Sequence, residues 1–116
     1  MSDCIFCKII TGQIPGKFLY IDENYVAFRD INPKAAVHIL VCPRAHTDTF
    51  QSTPPATIAG LAVTIQKIAT QLAIEDNYTL QINNGQHSGQ LVFHLHAHLL
   101  SSSRAAAEKV ANLLAT

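Results

Sequence analysis

The sequence contains no tryptophan and little charge, and its formal net charge is zero. Without an excess of basic residues, it lacks the electrostatic means by which most proteins hold nucleic acid. Only 14% of the residues are charged, so we expect some apolar surface to be covered by a partner. A second copy of the chain would serve, and the expected state is a homodimer.

Long hydrophobic runs are also missing from the chain. No apolar segment approaches the roughly 20 residues needed to span a bilayer, so no membrane segment is predicted. Residues 1–4 lack the basic and apolar regions of a signal peptide. Three cysteines are an odd number, which disfavours a disulfide framework. We therefore expect a cytoplasmic protein whose thiols stay reduced.

The pattern of apolar residues predicts a single α+β domain over residues 1–116. It consists of an antiparallel sheet of about five strands, one long helix and short terminal helices. The predicted strands are residues 18–21, 25–29, 37–42, 78–82 and 91–100. The terminal helices are residues 4–10 and 104–115. The long helix follows Ser52 and Thr53, whose hydroxyls are candidate caps, and is marked by apolar residues at three- and four-residue steps.

Three histidines alternate with apolar residues near the end of the chain: His94, His96 and His98. On a β-strand they would share one face, about 6–7 Å apart per step, with the intervening residues in the core. Imidazole titrates near neutral pH, binds metals and acts as a nucleophile. Three interpretations are open: a solvated polar face, a three-histidine metal site as in zinc hydrolases, or a nucleophile with supporting histidines.

Residues 83–90, rich in glycine and asparagine, directly precede these histidines. Both residue types allow unusual dihedral angles that turn backbone N–H groups toward one point. The segment is either an ordinary tight connection or an anion site, such as a phosphate site. Its position beside three histidines favours the anion site.

Cys4 and Cys7 form a Cys-x-x-Cys pair, which is typical of a zinc or a redox site. A redox motif of the thioredoxin type follows a strand in a βαβ unit, and none is evident here. A structural zinc site needs two further ligands. The alternative is a pair of buried thiols that bind no metal.

Residues 89–100, Gly-Gln-Leu-Val-Phe-His-Leu-His-Ala-His-Leu-Leu, resemble the signature of the histidine triad (HIT) family. Weaker similarities follow in the family's order at residues 5–10, 14–15, 27–33 and 38–41. The resemblance covers about residues 4–100 and leaves 101–116 as a divergent, helical tail. It implies the family's HIT-like α+β fold and a homodimer that joins two sheets across a two-fold axis. The branch it resembles is the HINT-like nucleoside phosphoramidases.

This resemblance implies an enzyme that cleaves purine nucleoside monophosphate from phosphoramidates or related phosphate conjugates. His96 would be the nucleophile and form a covalent nucleotidyl-histidine, with His98 and His38 as supporting imidazoles. No magnesium is obligatory in this scheme. Two alternatives stay open: a non-catalytic purine nucleotide-binding module, and a zinc-dependent hydrolase that uses the three triad histidines as metal ligands.

The resemblance also implies the residues that hold the substrate. The phosphate-binding set is Asn83, Gly89, Gln90, Leu91 and Val92, with backbone N–H groups near Gly89, Leu91 and Val92 facing the oxyanion. Asp30 would bind the ribose hydroxyls. The apolar slot for the base would be Ile5, Phe6, Ile9, Phe28 and Ile31. At Leu91 the chain departs from the family, because phosphoramidases often carry a serine there that donates toward the leaving-group nitrogen.

Members of the bacterial type supply the two ligands that the cysteine pair lacks. By resemblance, a structural zinc ion would be bound by Cys4, Cys7, His46 and His94. His94 would then take no part in acid–base chemistry, and His96 would be the reactive member of the triad.

Overall fold

The computed structural model describes residues 3–115, so both ends of the predicted 1–116 domain lie outside the described residues. The helices are α1 (Ile5–Ile10), α2 (Pro55–Gln71) and α3 (Arg104–Leu114). The strands are β1 (Tyr20–Ile21), β2 (Tyr25–Arg29), β3 (Val37–Pro43), β4 (Thr79–Gln81) and β5 (Ala97–Ser101). The predicted α+β class, with one long helix and short terminal helices, is confirmed.

The five strands form one antiparallel sheet in the order β1-β2-β3-β5-β4. The central strand β3 is buried at every residue, as its apolar sequence predicts. In the pairing of β3 with β5, His38 lies opposite Leu100 and Leu40 lies opposite His98. Because opposed residues share a face and alternate residues of a strand do too, His38 and His98 point to the same side of the sheet.

The sheet carries a hydrophobic cluster on each face. On one face α2 and α3 pack against Val37, Ile39 and Val41 of β3. On the other face lies a smaller cluster beneath α1. Its buried members are Phe6, Val26, Phe28, Leu40 and Cys42. Since Leu40 shares a face with His38 and His98, the smaller cluster and these two histidines lie on the same side of the sheet.

The long helix α2 agrees with the predicted spacing of its apolar residues. Leu61, Ile65 and Ile68, together with Leu72 just after the helix, are at most 3% exposed. Burying each of these side chains stabilises the fold by about 1.5–3 kcal/mol. Within residues 3–115, α2 and the other helices are too short or too polar to cross a membrane.

The predicted hydroxyl cap of α2 is wrong. Pro54 occupies the N-cap position, and no side chain caps the helix. The Thr53 hydroxyl donates instead to the carbonyl of Thr49 at 2.6 Å. The Ser52 hydroxyl oxygen accepts from the backbone N–H of Thr49 at 3.1 Å. Both hydroxyls therefore stabilise the loop that precedes the helix.

The strand ends also differ from the prediction, most of all in β5. This strand begins at Ala97 rather than at residue 91. The backbone N–H of Leu95 donates to the carbonyl of Thr47 at 2.7 Å, which draws the chain out of the sheet. Of the three histidines only His98 lies on a strand, so the predicted row of three is wrong. The apolar residues that alternate with the histidines are buried as predicted: Leu95, Ala97 and Leu99 are at most 1% exposed.

Candidate functional site

His38 and His98 form a hydrogen-bonded pair on neighbouring strands. The Nε2 of His38 and the Nδ1 of His98 are 2.9 Å apart. The backbone N–H of Lys34 donates to the Nδ1 of His38 at 3.0 Å, so the proton of the neutral His38 ring is on Nε2. His38 therefore donates to His98, and the proton of His98 is on its Nε2.

His96 adopts the opposite tautomer. Its Nδ1–H donates to the carbonyl of His94 at 2.7 Å, which leaves a lone pair on Nε2. The Nε2 atoms of His96 and His98 have no hydrogen-bond partner within residues 3–115. No buried side-chain nitrogen in this range lacks a partner, so both atoms reach solvent. The two ring centroids are 5.0 Å apart, and the site thus offers an imidazole lone pair close to an imidazole N–H.

These imidazoles are neutral at pH 7. Burial lowers the pKa of His38, His96 and His98 below the ordinary value of 6.5. For His98, the neighbouring imidazoles of His96 and His38 lower the pKa further. For His38, the charge of Asp30 opposes the effect of burial on the pKa but does not outweigh it. Neutral imidazole is the form that carries a nucleophilic lone pair.

Asp30 completes this side of the site. Its Oδ2 lies 3.5 Å from the Nε2 of His38, and its Oδ1 accepts the backbone N–H of Asn32 at 2.8 Å. The ligand atoms of Asp30, His38 and His98 lie within 4.8 Å of one another. A metal on the Nε2 of His38 would require the proton on Nδ1, but the N–H of Lys34 already occupies that position. The group is therefore a hydrogen-bonded relay and does not suit a metal ion.

A second group, the Cys2His2 cluster, consists of Cys4, Cys7, His46 and His94. Its four ligand atoms lie within 4.8 Å of one another. The Nδ1 of His94 is 3.3 Å from Cys4 Sγ and 3.6 Å from Cys7 Sγ. The Nδ1 of His46 is 3.5 Å from Cys7 Sγ. Tetrahedral zinc, with Zn–S about 2.3 Å and Zn–N about 2.0–2.1 Å, requires a sulfur–nitrogen separation of about 3.5 Å.

The tautomers in the Cys2His2 cluster also suit a metal. The Nε2–H of His94 donates to the carbonyl of Pro43 at 2.7 Å, and that of His46 donates to Asp48 Oδ1 at 2.8 Å. Both Nδ1 lone pairs therefore face the cysteines, as in metal sites whose outer partners orient the ligands. Burial, and next the Cys4 thiol, raise the pKa of Cys7. A cation bound here would displace thiol protons.

The three triad histidines consequently do not converge on one point. His94 belongs to the Cys2His2 cluster and His98 to the relay, while His96 belongs to neither of the ligand groups found in residues 3–115. Each ring has a different set of neighbours and a different exposed atom. This geometry gives no support to a single metal ion held by all three.

Three of the five predicted base-slot residues lie together. Phe6 meets Phe28 edge to face at 5.3 Å, and Ile9 packs at the margin of the same cluster. Phe6 also packs edge-on against His96, with centroids 5.0 Å apart. The other two, Ile5 and Ile31, lie outside this cluster, and Ile31 is 92% exposed. The structure thus places an aromatic side chain of α1 directly against the ring with the exposed lone pair.

The glycine loop, residues 83–92, contains the predicted phosphate-binding residues. Gly85 and Gly89 have φ values of 95° and 93°, which only glycine adopts without strain. The Asn83 side chain closes the loop by donating to the carbonyl of Ser88 at 2.7 Å. The backbone N–H of Gly89 already donates to Gln86 at 3.1 Å, so it is not available to an anion.

Of the three amides predicted to face the oxyanion, those of Leu91 and Val92 remain available. The backbone N–H groups of Leu91 and Val92 donate to no atom of residues 3–115, in agreement with a role toward an anion. The Leu91 side chain is 91% exposed. Val92 is half-buried beside the cluster under α1.

Gln90 is 4% exposed, and its side chain is fully engaged within the protein. Its Nε2 donates to the carbonyls of Asp48 at 2.8 Å and Val92 at 3.0 Å. Its Oε1 accepts the backbone N–H of Gly85 at 2.7 Å. Of the predicted phosphate-binding residues, Gln90 therefore has no free side-chain atom to offer a ligand.

Two contributors to the site escaped the sequence analysis. Asp48 follows His46 by two residues. An acidic residue this close to a candidate metal ligand could have been predicted to hydrogen-bond to it. Lys34 acts through its backbone N–H, so its side-chain identity carried no signal. Its contact with His38 depends only on the path of the loop between β2 and β3.

Comparisons with known proteins agree with this fold. The model of the HIT domain family matches residues 11–105. A Zn-bound histidine triad family protein from Mycobacterium smegmatis superposes with a TM-score of 0.84 at 32% identity, over 98% of this chain and 94% of that one. A HIT family hydrolase from Legionella pneumophila gives a TM-score of 0.82 at 34% identity, over 87% and 94%. The adenylylsulfatase HINT3 of Arabidopsis thaliana is 35% identical over 102 residues, which are 85% of this chain and 52% of that protein.

Proposed function

The chain belongs to the HIT domain family, and on this basis we propose that it hydrolyses nucleoside monophosphate conjugates, phosphoramidates among them, through a covalent nucleotidyl-His96 intermediate. The observation that carries the proposal is the solvent-reaching lone pair on His96 Nε2, whose tautomer is held by the carbonyl of His94. Hydrolysis as the class of reaction is supported by relatives that are a HIT family hydrolase and an adenylylsulfatase.

In the first step, His96 Nε2 attacks the α-phosphorus. A P–N bond forms, and the bond from phosphorus to the leaving group breaks with its electron pair. Because the ring is neutral, it attacks without first losing a proton. The ring gains positive charge, which the carbonyl of His94 stabilises through the Nδ1–H. Water then attacks the same phosphorus and releases the monophosphate, returning the electron pair to Nε2.

Negative charge on the phosphoryl oxygens needs fixed donors. We assign this role to the Nε2–H of His98 and to the backbone N–H groups of Leu91 and Val92. His38 holds the tautomer of His98 by donating to its Nδ1. Asn83, Gly89 and Gln90 then act indirectly, by shaping the glycine loop.

We assign nucleoside recognition to Asp30 and to the aromatic cluster under α1. Asp30 lies beside His38 and keeps Oδ2 for a ribose hydroxyl. The cluster around Phe6 and Phe28 offers an apolar surface next to His96, which suits a purine base. Ile9 extends this surface at its margin, and we propose that the exposed Ile5 and Ile31, which lie outside the cluster, also contact the base.

Leu91 sets a preference among leaving groups. Its exposed side chain has no donor for a leaving-group nitrogen, which must gain a proton as it departs. Sulfate departs without one. The adenylylsulfatase name of the Arabidopsis relative supports conjugates of this second kind as substrates.

We propose a structural zinc ion at the Cys2His2 cluster, where the tautomers and the sulfur–nitrogen separations fit. When bound there, zinc would supply structural support and no catalytic step. It would hold α1 against the segment at His46 that follows β3. Because Phe6 lies on α1, the ion would also fix the position of the Phe6 ring. We also propose a cytoplasmic location, where cysteine ligands stay reduced.

We also propose a homodimer that pairs β4 with its symmetry mate. This edge strand is exposed at all three residues, including Leu80 at 46%. An unpaired edge strand presents free N–H and C=O groups to another chain. The opposite edge, β1, has only two residues.

A non-catalytic purine nucleotide-binding module remains the second candidate, because Leu91 removes a donor that phosphoramidases often have. The site would then bind nucleotide without transferring it. The zinc-dependent hydrolase is disfavoured, since the three triad histidines have separate neighbours.

We predict that His96→Ala abolishes the covalent adduct formed with labelled adenosine phosphoramidate, because the Nδ1 lone pairs of His38 and His98 already accept hydrogen bonds. Hydrolysis should fall by at least about 10³-fold, with monophosphate release and intact mass as the measurements. Binding of adenosine monophosphate should persist. His87→Ala, in an exposed part of the glycine loop, is the matched control. An adduct on the His96 variant would refute the assignment, and nucleotide binding without any turnover by the wild type would favour the non-catalytic module.

We predict that Leu91→Ser accelerates amine-leaving substrates selectively. One added hydrogen bond of about 0.5–1.5 kcal/mol should raise kcat/KM for adenosine phosphoramidate by about two- to twelvefold. The value for adenosine phosphosulfate should stay within about twofold. Leu91→Ala removes the same side chain without adding a hydroxyl and should give no gain. Equal gains for both substrates, or for both variants, would contradict the role assigned to Leu91.

We predict one equivalent of zinc per chain, measured by elemental analysis of protein purified with zinc present. Loss of a residue that only orients a ligand typically weakens metal binding by about 10–100-fold. Cys4→Ala removes a ligand itself and should weaken zinc binding by more than this. The control is Cys42→Ala, since Cys42 is fully buried in the cluster under α1 and belongs to neither ligand group found in residues 3–115. Unchanged zinc content in the Cys4 variant would remove that residue from the site.

We predict a sedimenting mass twice the chain mass of 12.6 kDa. Leu80→Lys should shift the protein toward monomer, because it adds charge to the β4 edge. Ile21→Lys makes the same change at the β1 edge, where the native side chain is 52% exposed, and should leave the dimer intact. A monomeric wild type, or dissociation by the Ile21 variant alone, would refute this interface.

A further inference from the structure

We propose that Asp48 and Gln90 are positioning residues that couple metal occupancy of the Cys2His2 cluster to the phosphate-binding geometry of the glycine loop. The identity of the ligand, a nucleoside monophosphate, rests on the proposed function. The coupling itself rests on contacts that connect the two sites through residues 46–48.

The first contact fixes a metal ligand. Asp48 Oδ1 accepts the Nε2–H of His46 at 2.8 Å. This bond sets the tautomer that turns the Nδ1 lone pair of His46 toward Cys7. A carboxylate in this position also makes the imidazole a stronger ligand. The Asp48 carboxylate itself is largely exposed, so it can be removed without opening a cavity.

The second contact joins the same residue to the glycine loop. The backbone carbonyl of Asp48 accepts from Gln90 Nε2 at 2.8 Å, and Gln90 Oε1 accepts the N–H of Gly85 at 2.7 Å. Gln90 also donates to the carbonyl of Val92 at 3.0 Å. One buried amide therefore ties the start and the end of the glycine loop to the segment that contains His46.

A third contact joins residues 46–48 to the chain just after the glycine loop. The backbone N–H of Leu95 donates to the carbonyl of Thr47 at 2.7 Å. Residues 46–48 thus bind to the chain on both sides of His94, which is itself in the Cys2His2 cluster. Without a metal, His46 keeps a 3.5 Å contact with Cys7 Sγ and an edge-on ring contact with His94, with centroids 5.0 Å apart. A bound metal would replace these weak contacts with coordination bonds, and we infer that it would hold residues 46–48, and the loop amides tied to them, more rigidly.

The arrangement assigns the two residues different effects. Asp48→Ala should weaken zinc binding by about 10–100-fold, yet at saturating zinc its affinity for adenosine monophosphate should return to the wild-type value. Gln90→Glu keeps the acceptor for Gly85 but loses both donors. It should retain zinc and weaken the effect of zinc on nucleotide affinity. A residue that merely stabilised the fold would not separate the two affinities in this way.

The experiment measures two dissociation constants in the full chain. Zinc affinity is measured by competition with a chromophoric chelator, and adenosine monophosphate affinity by calorimetry with and without zinc. In the wild type, removing zinc should weaken nucleotide binding by at least about fivefold, and by linkage the nucleotide should strengthen zinc binding by the same factor. Asp76→Ala, an exposed acid after α2, and Gln86→Ala, an exposed residue of the glycine loop, are matched controls and should retain the full coupling.

Amide hydrogen exchange at Gly85 provides a readout that needs no nucleotide. Zinc should slow this exchange in the wild type and in both controls, and much less in the Gln90 variant. Nucleotide affinity or Gly85 exchange that is independent of zinc in the wild type would overturn the coupling. So would full coupling in Gln90→Glu. If no form binds nucleotide while zinc still protects Gly85, the proposed function fails and the coupling of metal to loop stands.

Discussion

The hydrogen bond from the Nδ1–H of His96 to the carbonyl of His94, 2.7 Å long, decides which nitrogen of His96 carries a lone pair. It leaves the Nε2 lone pair of His96 exposed to solvent. The acceptor is a backbone atom, so its position follows from the path of the chain and not from a side chain that titrates. Burial of the ring, with Phe6 against one side, then lowers the pKa and keeps the lone pair unprotonated at neutral pH.

The same principle gives the neighbouring histidines different properties. The carbonyl of Pro43 takes the Nε2–H of His94 and turns its Nδ1 toward the two cysteines. The backbone N–H of Lys34 donates to the Nδ1 of His38, and in the resulting tautomer the Nε2–H of His38 donates to the Nδ1 of His98. Three nearby positions thus offer a metal ligand, a lone pair and an N–H donor. Backbone groups of loops around β3 and β5 make this distinction, although the side chains are chemically identical.

Much of the fold could be predicted because it depends on local patterns. Leu61, Ile65 and Ile68 recur with the helical period and are buried on one face of α2, and the apolar run of β3 occupies the centre of the sheet. The row of three histidines was wrong because β5 starts at Ala97. A bond between Leu95 and Thr47, far apart in sequence, ends the strand pairing there, and no periodicity reveals such a bond.

The site was less predictable than the fold, for a related physical reason. The sequence shows which residues form the Cys2His2 cluster and the triad. It does not show which nitrogen each imidazole exposes, because that depends on the backbone groups to which the ring is hydrogen-bonded. Gln90 is an example. It lies in the glycine loop as predicted, but its side-chain amide forms hydrogen bonds with Asp48, Val92 and Gly85 and none is left for a ligand. Such assignments require the three-dimensional path of the chain.

The tautomer of His96 in solution tests the central claim most directly. Long-range proton–nitrogen correlation spectra of protein labelled with ¹⁵N in its imidazole rings, with signals assigned by single substitutions, report which nitrogen of each ring carries the proton. At neutral pH the structure predicts the proton of His96 on Nδ1 and that of His98 on Nε2. A proton on the Nε2 of His96 would leave no exposed lone pair and would contradict the account.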